Sequence, residues 1–259
     1  VSQNASAAVA IVTGAAEGLG QSIVDRLLAD GYRVVASDIN ESIHARSGST
    51  WNADLVRTVK ADVASRDSGT VLVDQALSAF GRLDAIVNNA GVGGPSATVQ
   101  DVVIDDILRV FDVNLLGALR LCQAAIPHLK AQGSGRIVNM GSLFADQPVP
   151  EASAYCMSKA AIRSLSEVLA LELGSYGITV NTVAPGFMLT KMHLAAIASQ
   201  ALRLGVTAEE RESTLRNSVP LKRHGTGMDV AGAVAWLLSS DASYVTGQTI
   251  GVNGGVFFR

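Results

Sequence analysis

Short β-branched runs alternate with segments of helical period along this chain, and that alternation restricts the fold more than any single motif does. Val9 to Val12 precedes Ile23, Leu27 and Leu28, and Val34 to Ala36 precedes Val71, Leu72, Ala76 and Leu77. Leu83 to Val87 precedes Ile107, Val110 and Leu115; Ile137 to Met140 precedes Leu165, Leu169 and Leu173; Thr179 to Val183 follows. Strand then helix, repeated, requires parallel strands joined by crossover helices, with both sheet faces covered. The predicted architecture is a doubly wound α/β parallel sheet of about seven strands with helices on both faces. A helix over Val230 to Leu238 and a strand over Gln248 to Val252 close it.

A chain of 259 residues, 48% hydrophobic and 17% charged, has apolar material for one large core. One catalytic domain is expected over residues 8–259, after a loose tail at 1–7. Residues 187–220 interrupt the pattern. The net charge is −3, and the 20 Lys and Arg are scattered without a basic run. Neither a nucleic acid nor an anionic membrane surface fits that distribution, so the expected partner is a small molecule. Cys122 and Cys156 lie on separate helical segments and suggest no disulfide framework, which fits a reducing, cytoplasmic setting. No unbroken apolar run reaches ~18 residues, and no signal-peptide pattern opens the chain.

Between the first strand and first helix stands Thr13-Gly14-Ala15-Ala16-Glu17-Gly18-Leu19-Gly20. Glycines permit a tight turn and close backbone approach, and free N–H groups at the helix start attract a pyrophosphate. Asp38 ends the second strand, roughly 20 residues past the glycines, where a carboxylate accepts hydrogen bonds from ribose hydroxyls and repels a 2′-phosphate. Glu17 in the turn and Ile39-Asn40 after the acid place no Arg or Lys there by sequence, so the expected cofactor is NAD.

Tyr155 and Lys159 are four residues apart on a long helical segment and share one face of it. At ~5 Å and an effective dielectric of ~20, the ammonium favours a phenolate by roughly 3 kcal/mol, about two pKa units. That predicts a tyrosine able to exchange protons near neutral pH. Asn88-Asn89-Ala90-Gly91, Gly141-Ser142 and Pro185-Gly186 follow strands, at the carboxyl ends that border a ligand crevice. Ser142 can donate to a substrate carbonyl oxygen. Asn114, in a helix interior, is expected to hold a water or a backbone kink beside Lys159.

With these motifs in this order, residues 8 to 255 resemble the short-chain dehydrogenase/reductase family, whose fold is a Rossmann sheet. The resemblance implies a catalytic tetrad of Asn114, Ser142, Tyr155 and Lys159. Tyr155 would pass the proton, Lys159 would also bind the nicotinamide ribose, Ser142 would orient the substrate and Asn114 would anchor a relay water. Gly14, Glu17, Gly18, Leu19 and Gly20 would form the pyrophosphate turn, with Asp38 and Ile39 at the ribose and Asp62 and Val63 bordering the adenine. Asn88, Ala90 and Gly91 would support the cofactor, and Pro185, Gly186, Met188 and Thr190 would hold its nicotinamide end. It also implies a homotetramer built through helices around 104–130 and 154–174 and the C-terminal strand, a reading that the apolar Val256-Phe257-Phe258 supports.

The segment 187–220 is amphipathic and follows the nicotinamide motif, as a lid over the site would. Leu143, Phe144, Gln147, Phe187, Met192 and His193 are the expected substrate residues, a mostly apolar set suited to a secondary alcohol or ketone such as a polyol or cyclic alcohol. A serine hydrolase is rejected because Met140-Gly141-Ser142-Leu143-Phe144 lacks the G-x-S-x-G pattern. An enoyl reductase is disfavoured by the three-residue gap between Tyr155 and Lys159. A 3-oxoacyl carrier-protein ketoreductase and a non-catalytic NAD-binding regulator stand as the alternatives. His44, His128, His193 and His224 show no metal-ligand spacing and no convergence in sequence, so no metal is expected.

Overall fold

The structure is a computed structural model, and it describes residues 7–258; the expected tail lies outside the described residues except for Ala7. The chain runs β1 (Val9–Thr13), α1 (Gly18–Ala29), β2 (Arg33–Asp38), β3 (Val56–Lys60), α2 (Ser68–Phe80), β4 (Ala85–Asn88), α3 (Ile104–Phe111), α4 (Gly117–Gln132) and β5 (Gly135–Met140). It continues through α5 (Ser153–Leu173), β6 (Ile178–Pro185), α6 (Lys191–Leu204), α7 (Ala208–Ser218), α8 (Gly227–Leu238) and β7 (Thr249–Val252). All seven strands are parallel, in the order β3-β2-β1-β4-β5-β6-β7.

Alternation along each strand divides the core into two layers. In β1, Ala10 and Val12 face a cluster with Ile23, Leu27 and Val234, whereas Val9 and Ile11 face Leu72, Leu121 and Leu173. α1 and α8 therefore cover one face and α2, α4 and α5 the other, which is why the buried strands read as continuous Val, Ile and Ala runs. The third strand, Val56-Arg57-Thr58-Val59-Lys60, was not placed from sequence; it is an edge strand with Arg57 and Lys60 exposed.

Chain order reverses between β1 and β4, and a ligand crevice opens outside the carboxyl ends of strands at such a switch point. Ile104–Gln132 forms one helical run long and apolar enough, by composition, to cross a membrane. That length was not expected, because charged residues interrupt it; in the fold Leu121, Cys122, Ala125 and Leu129 are core residues.

Candidate active site

The glycine turn is locked to the end of β4. Thr13 Oγ1 accepts from the backbone N–H groups of Asn89 and Ala90, both at 3.1 Å, and Asn89 Nδ2 donates to the carbonyls of Thr13 (2.9 Å) and Gly14 (3.0 Å). Side chains cannot enter here. A Cβ on Gly20 would lie 2.1 Å from the Gly14 carbonyl oxygen, and Gly14 itself has φ +65°. Gly18, φ +60°, faces only Thr190 Cγ2 at 3.8 Å, so a cradle remains between the turn and the start of α6. Glu17, at the N-cap of α1, makes no capping hydrogen bond and pairs instead with Lys191. The first N–H groups of α1 are thus left to an anion, and a dinucleotide pyrophosphate fits this cradle.

Two side chains grip the peptide groups of Ala16. Asp38 Oδ2 accepts from its N–H at 2.9 Å, and Arg46 Nε donates to its carbonyl at 2.8 Å while lying over the Trp51 ring. The sequence expectation of no basic residue at the turn is therefore corrected: Arg46 arrives from beyond β2, and Lys191 from α6. Ile39 stands exposed beside the acid. Asp62 caps its own loop through the Ala64 N–H, and Val63 packs on Gly117.

The Asn88 amide is turned inward at the end of β4. Its Nδ2 donates to Asn139 Oδ1 (2.8 Å) and approaches Cys122 Sγ (3.5 Å), inside the sheet rather than at the turn. The turn is held by its neighbour Asn89, which the spacing alone did not single out.

Tyr155 and Lys159 do share one face of α5, with Lys159 Nζ 5.7 Å from the Tyr155 ring centroid. The ammonium is buried and donates to the Met140 carbonyl at 2.7 Å, while Ser142, just past β5, neighbours the Tyr155 hydroxyl. Electrostatics here differ from the sequence expectation. Burial pushes the Tyr155 phenol above its ordinary value, against the lowering effect of Ser142, and burial brings Lys159 down to about 8. Desolvation acts on both partners toward their neutral forms, and for Tyr155 it is the largest influence.

Asn114 sits in a single π-helical turn, Asp112–Leu116, between α3 and α4. Its Oδ1 accepts from Val92 N–H (2.8 Å), and its Nδ2 donates to Val92 O and Ser158 Oγ (both 3.0 Å). Ser158 Oγ in turn donates to the Tyr155 carbonyl at 2.8 Å. Ser158 was not among the expected residues; its signal was a small hydroxyl three positions past Tyr155. A Cβ on Gly91 would lie 3.2 Å from Asn114 Oδ1 and 3.4 Å from Lys159 Nζ, so glycine there lets the amide and the ammonium approach.

Phe144 contacts the Tyr155 ring edge-on at 6.5 Å and Phe187 at the same distance. Leu143 is buried beneath, and Gln147 is exposed at the rim. Pro185 ends β6, Gly186 abuts Asn253, Met188 is buried, and Thr190 caps α6 by accepting from His193 N–H. Residues 187–220 fold as α6 and α7, with Met192 half exposed. α6 is tied at its two ends by Lys191 to Glu17 and by Arg203 to Glu151. Contrary to the sequence reading, two histidines converge: His193 and His224 lie 5.2 Å apart, centroid to centroid.

A phenol, an ammonium and an amide gathered beside an anion-binding turn are the equipment of an oxidoreductase built on a dinucleotide-binding sheet. Residues 14–257 match a family model described as enoyl-(acyl carrier protein) reductase. An uncharacterised oxidoreductase of Methylorubrum extorquens is 39% identical over 96% of this chain and 97% of its own. A 3-oxoacyl-[acyl-carrier-protein] reductase of Staphylococcus aureus is 35% identical over 96% and 97%. The structure of an NAD+-bound xylitol dehydrogenase superposes with a TM-score of 0.90 at 33% identity, covering 96% of this chain and 98% of the other. The chain belongs to the short-chain dehydrogenase/reductase family of oxidoreductases.

Proposed function

We propose that the protein is an NAD-dependent dehydrogenase of secondary alcohols, also able to run in the ketone-reducing direction, with Tyr155 as the acid/base. One observation carries this reading: the Lys159 ammonium is held 5.7 Å from the Tyr155 ring, on the same face of α5. Bound in the cradle, a nicotinamide dinucleotide would supply the hydride acceptor or donor. Tyr155 takes up or returns the proton of the reacting hydroxyl, and Ser142 shares a hydrogen bond with that oxygen. Lys159 stabilises the phenolate, and Asn114, through Ser158, holds the first turn of α5 in place. The enoyl chemistry in the family description is disfavoured by the four-residue step from Tyr155 to Lys159.

Asp38 supports NAD over NADP because its carboxylate occupies the end of β2, and Arg46, already bound to Ala16 and stacked on Trp51, is committed elsewhere. We assign the site residues as expected, except that Asn89 replaces Asn88. Exposed Val103, just before α3, Ile104 and Leu108 on α3, and Val168 and Leu171 on α5 support a homotetramer, which light scattering would test. A cytoplasmic location is part of the same proposal.

The test is Tyr155→Phe, assayed by NADH absorbance on polyols, cyclic alcohols and hydroxysteroids. Turnover should fall by ~10²–10⁴-fold with the fold retained. Undiminished turnover would remove Tyr155 from the mechanism. The resemblance to the Staphylococcus reductase favours one second reading, a carrier-protein ketoreductase; it wins if NADPH with a carrier-bound ketone outperforms every NAD pair.

A further inference from the structure

Beyond Phe187 the aromatic wall of the site continues into a pair of imidazoles. The His193 ring stacks on Phe187 at 5.6 Å with an interplanar angle of 15°, and His224 meets Phe187 at 6.4 Å and His193 at 5.2 Å. His224 is 4% exposed, and its Nε2 lies 3.0 Å from Glu212 Oε1 on α7 without hydrogen-bond alignment. His193 Nε2 and His224 Nδ1 are enclosed and find no partner among the described residues, whereas His224 Nε2 faces the Glu212 carboxylate. Each such group costs about 1–3 kcal/mol unless something pairs with it, and native interiors hold few of them. Two in one cluster, three aromatic contacts from Tyr155, need an explanation.

A neutral imidazole offers one donor and one acceptor, the complement of a hydroxyl group, while the face of Phe187 suits a C–H surface. Carbon bearing several hydroxyls presents both. We propose that His193 is a specificity-determining residue: its Nε2 pairs with a substrate hydroxyl other than the one oxidised, so that the enzyme favours polyhydroxylated over monohydroxylated secondary alcohols. His224, beside the Glu212 carboxylate, is a positioning residue that orients the His193 ring. The nitrogen is enclosed with α6 in its present place, so the substrate reaches it as α6 adjusts between its tethers at Glu17 and Glu151. This inference rests on the alcohol-dehydrogenase reading.

The experiment compares xylitol with pentan-2-ol, and butane-2,3-diol with butan-2-ol, on the full-length enzyme with its preferred nicotinamide cofactor. The wild type should favour the polyhydroxylated member by about tenfold or more in kcat/KM. His193→Phe keeps the stacked ring and removes the nitrogens; it should erase about tenfold of that ratio through KM for the polyol, with kcat within about threefold. His193→Gln, which restores an amide near Nε2, should recover part of the ratio, and melting curves establish that both variants fold. The proposal is overturned if His193→Phe weakens both members of a pair equally, or if the wild type turns over monohydroxylated alcohols with no preference; the dehydrogenase reading survives either result. Absence of turnover on every alcohol and ketone with either cofactor removes that reading and the proposal together.

Discussion

Lys159 Nζ donates to the Met140 carbonyl at 2.7 Å, which fastens a buried ammonium on α5 to the end of β5. Nearly all of the charge is out of water, and burial alone brings its pKa from 10.5 to about 8. Across that window the unfolded chain keeps a proton that the folded chain has released, so this group makes folding more favourable as pH rises from about 8 to 10.5. Its charged form works against the fold below the window.

Lys159→Met should therefore gain on the wild type at neutral pH, and the difference should shrink by about 3 kcal/mol as pH rises through the window. Urea unfolding of both proteins at each end of the window measures it. A constant difference would mean that burial does not govern this lysine.

The glycines of the turn should separate into two kinds. Gly20→Ala drives a Cβ to 2.1 Å from a backbone oxygen, so it should destabilise the fold by ~3 kcal/mol or more. Gly18→Ala meets nothing closer than 3.8 Å, and only its positive φ costs, about 1 kcal/mol. Its methyl nevertheless enters the cradle. Thermal melting should show a mild loss for Gly18→Ala, and fluorescence titration with NAD should show at least about tenfold weaker binding.

A polar ladder crosses the floor of the site from Asn88 to Asn139 to Ser166, where Thr182 also donates, at 2.8–2.9 Å per step. Ser166 Oγ receives two donors and gives its own proton to the Ile162 carbonyl. Ser166→Ala strands both donors in the interior and should cost ~2–4 kcal/mol in chemical denaturation. A loss under ~0.5 kcal/mol would show that the interior rearranges to pair them.

Acid should loosen the fold around α6. Burial, then the neighbouring His224, push His193 down to about 4 from 6.5, with Glu212 opposing. Between those values the unfolded chain binds more protons than the folded one, so stability falls as pH drops through the window. His193→Phe should flatten that part of the pH profile of thermal melting, and an unchanged slope would assign the acid sensitivity to other groups.

What could be read from the chain was whatever lies within one element or between consecutive ones. Six of the strands show as apolar β-branched runs because parallel strands are buried on both faces, whereas β3 escaped notice because Arg57 and Lys60 break its apolar run at the sheet edge. Tyr155 with Lys159, the glycines and Asp38 were legible because helix pitch and strand ends set their positions. The tertiary structure alone decided that Asn89 holds the turn, that Arg46 reaches Ala16, and that His193 meets His224. It also decided the direction of the Tyr155 shift. Those outcomes depend on burial and on approach between segments remote in sequence, and side-chain spacing along a chain carries neither quantity.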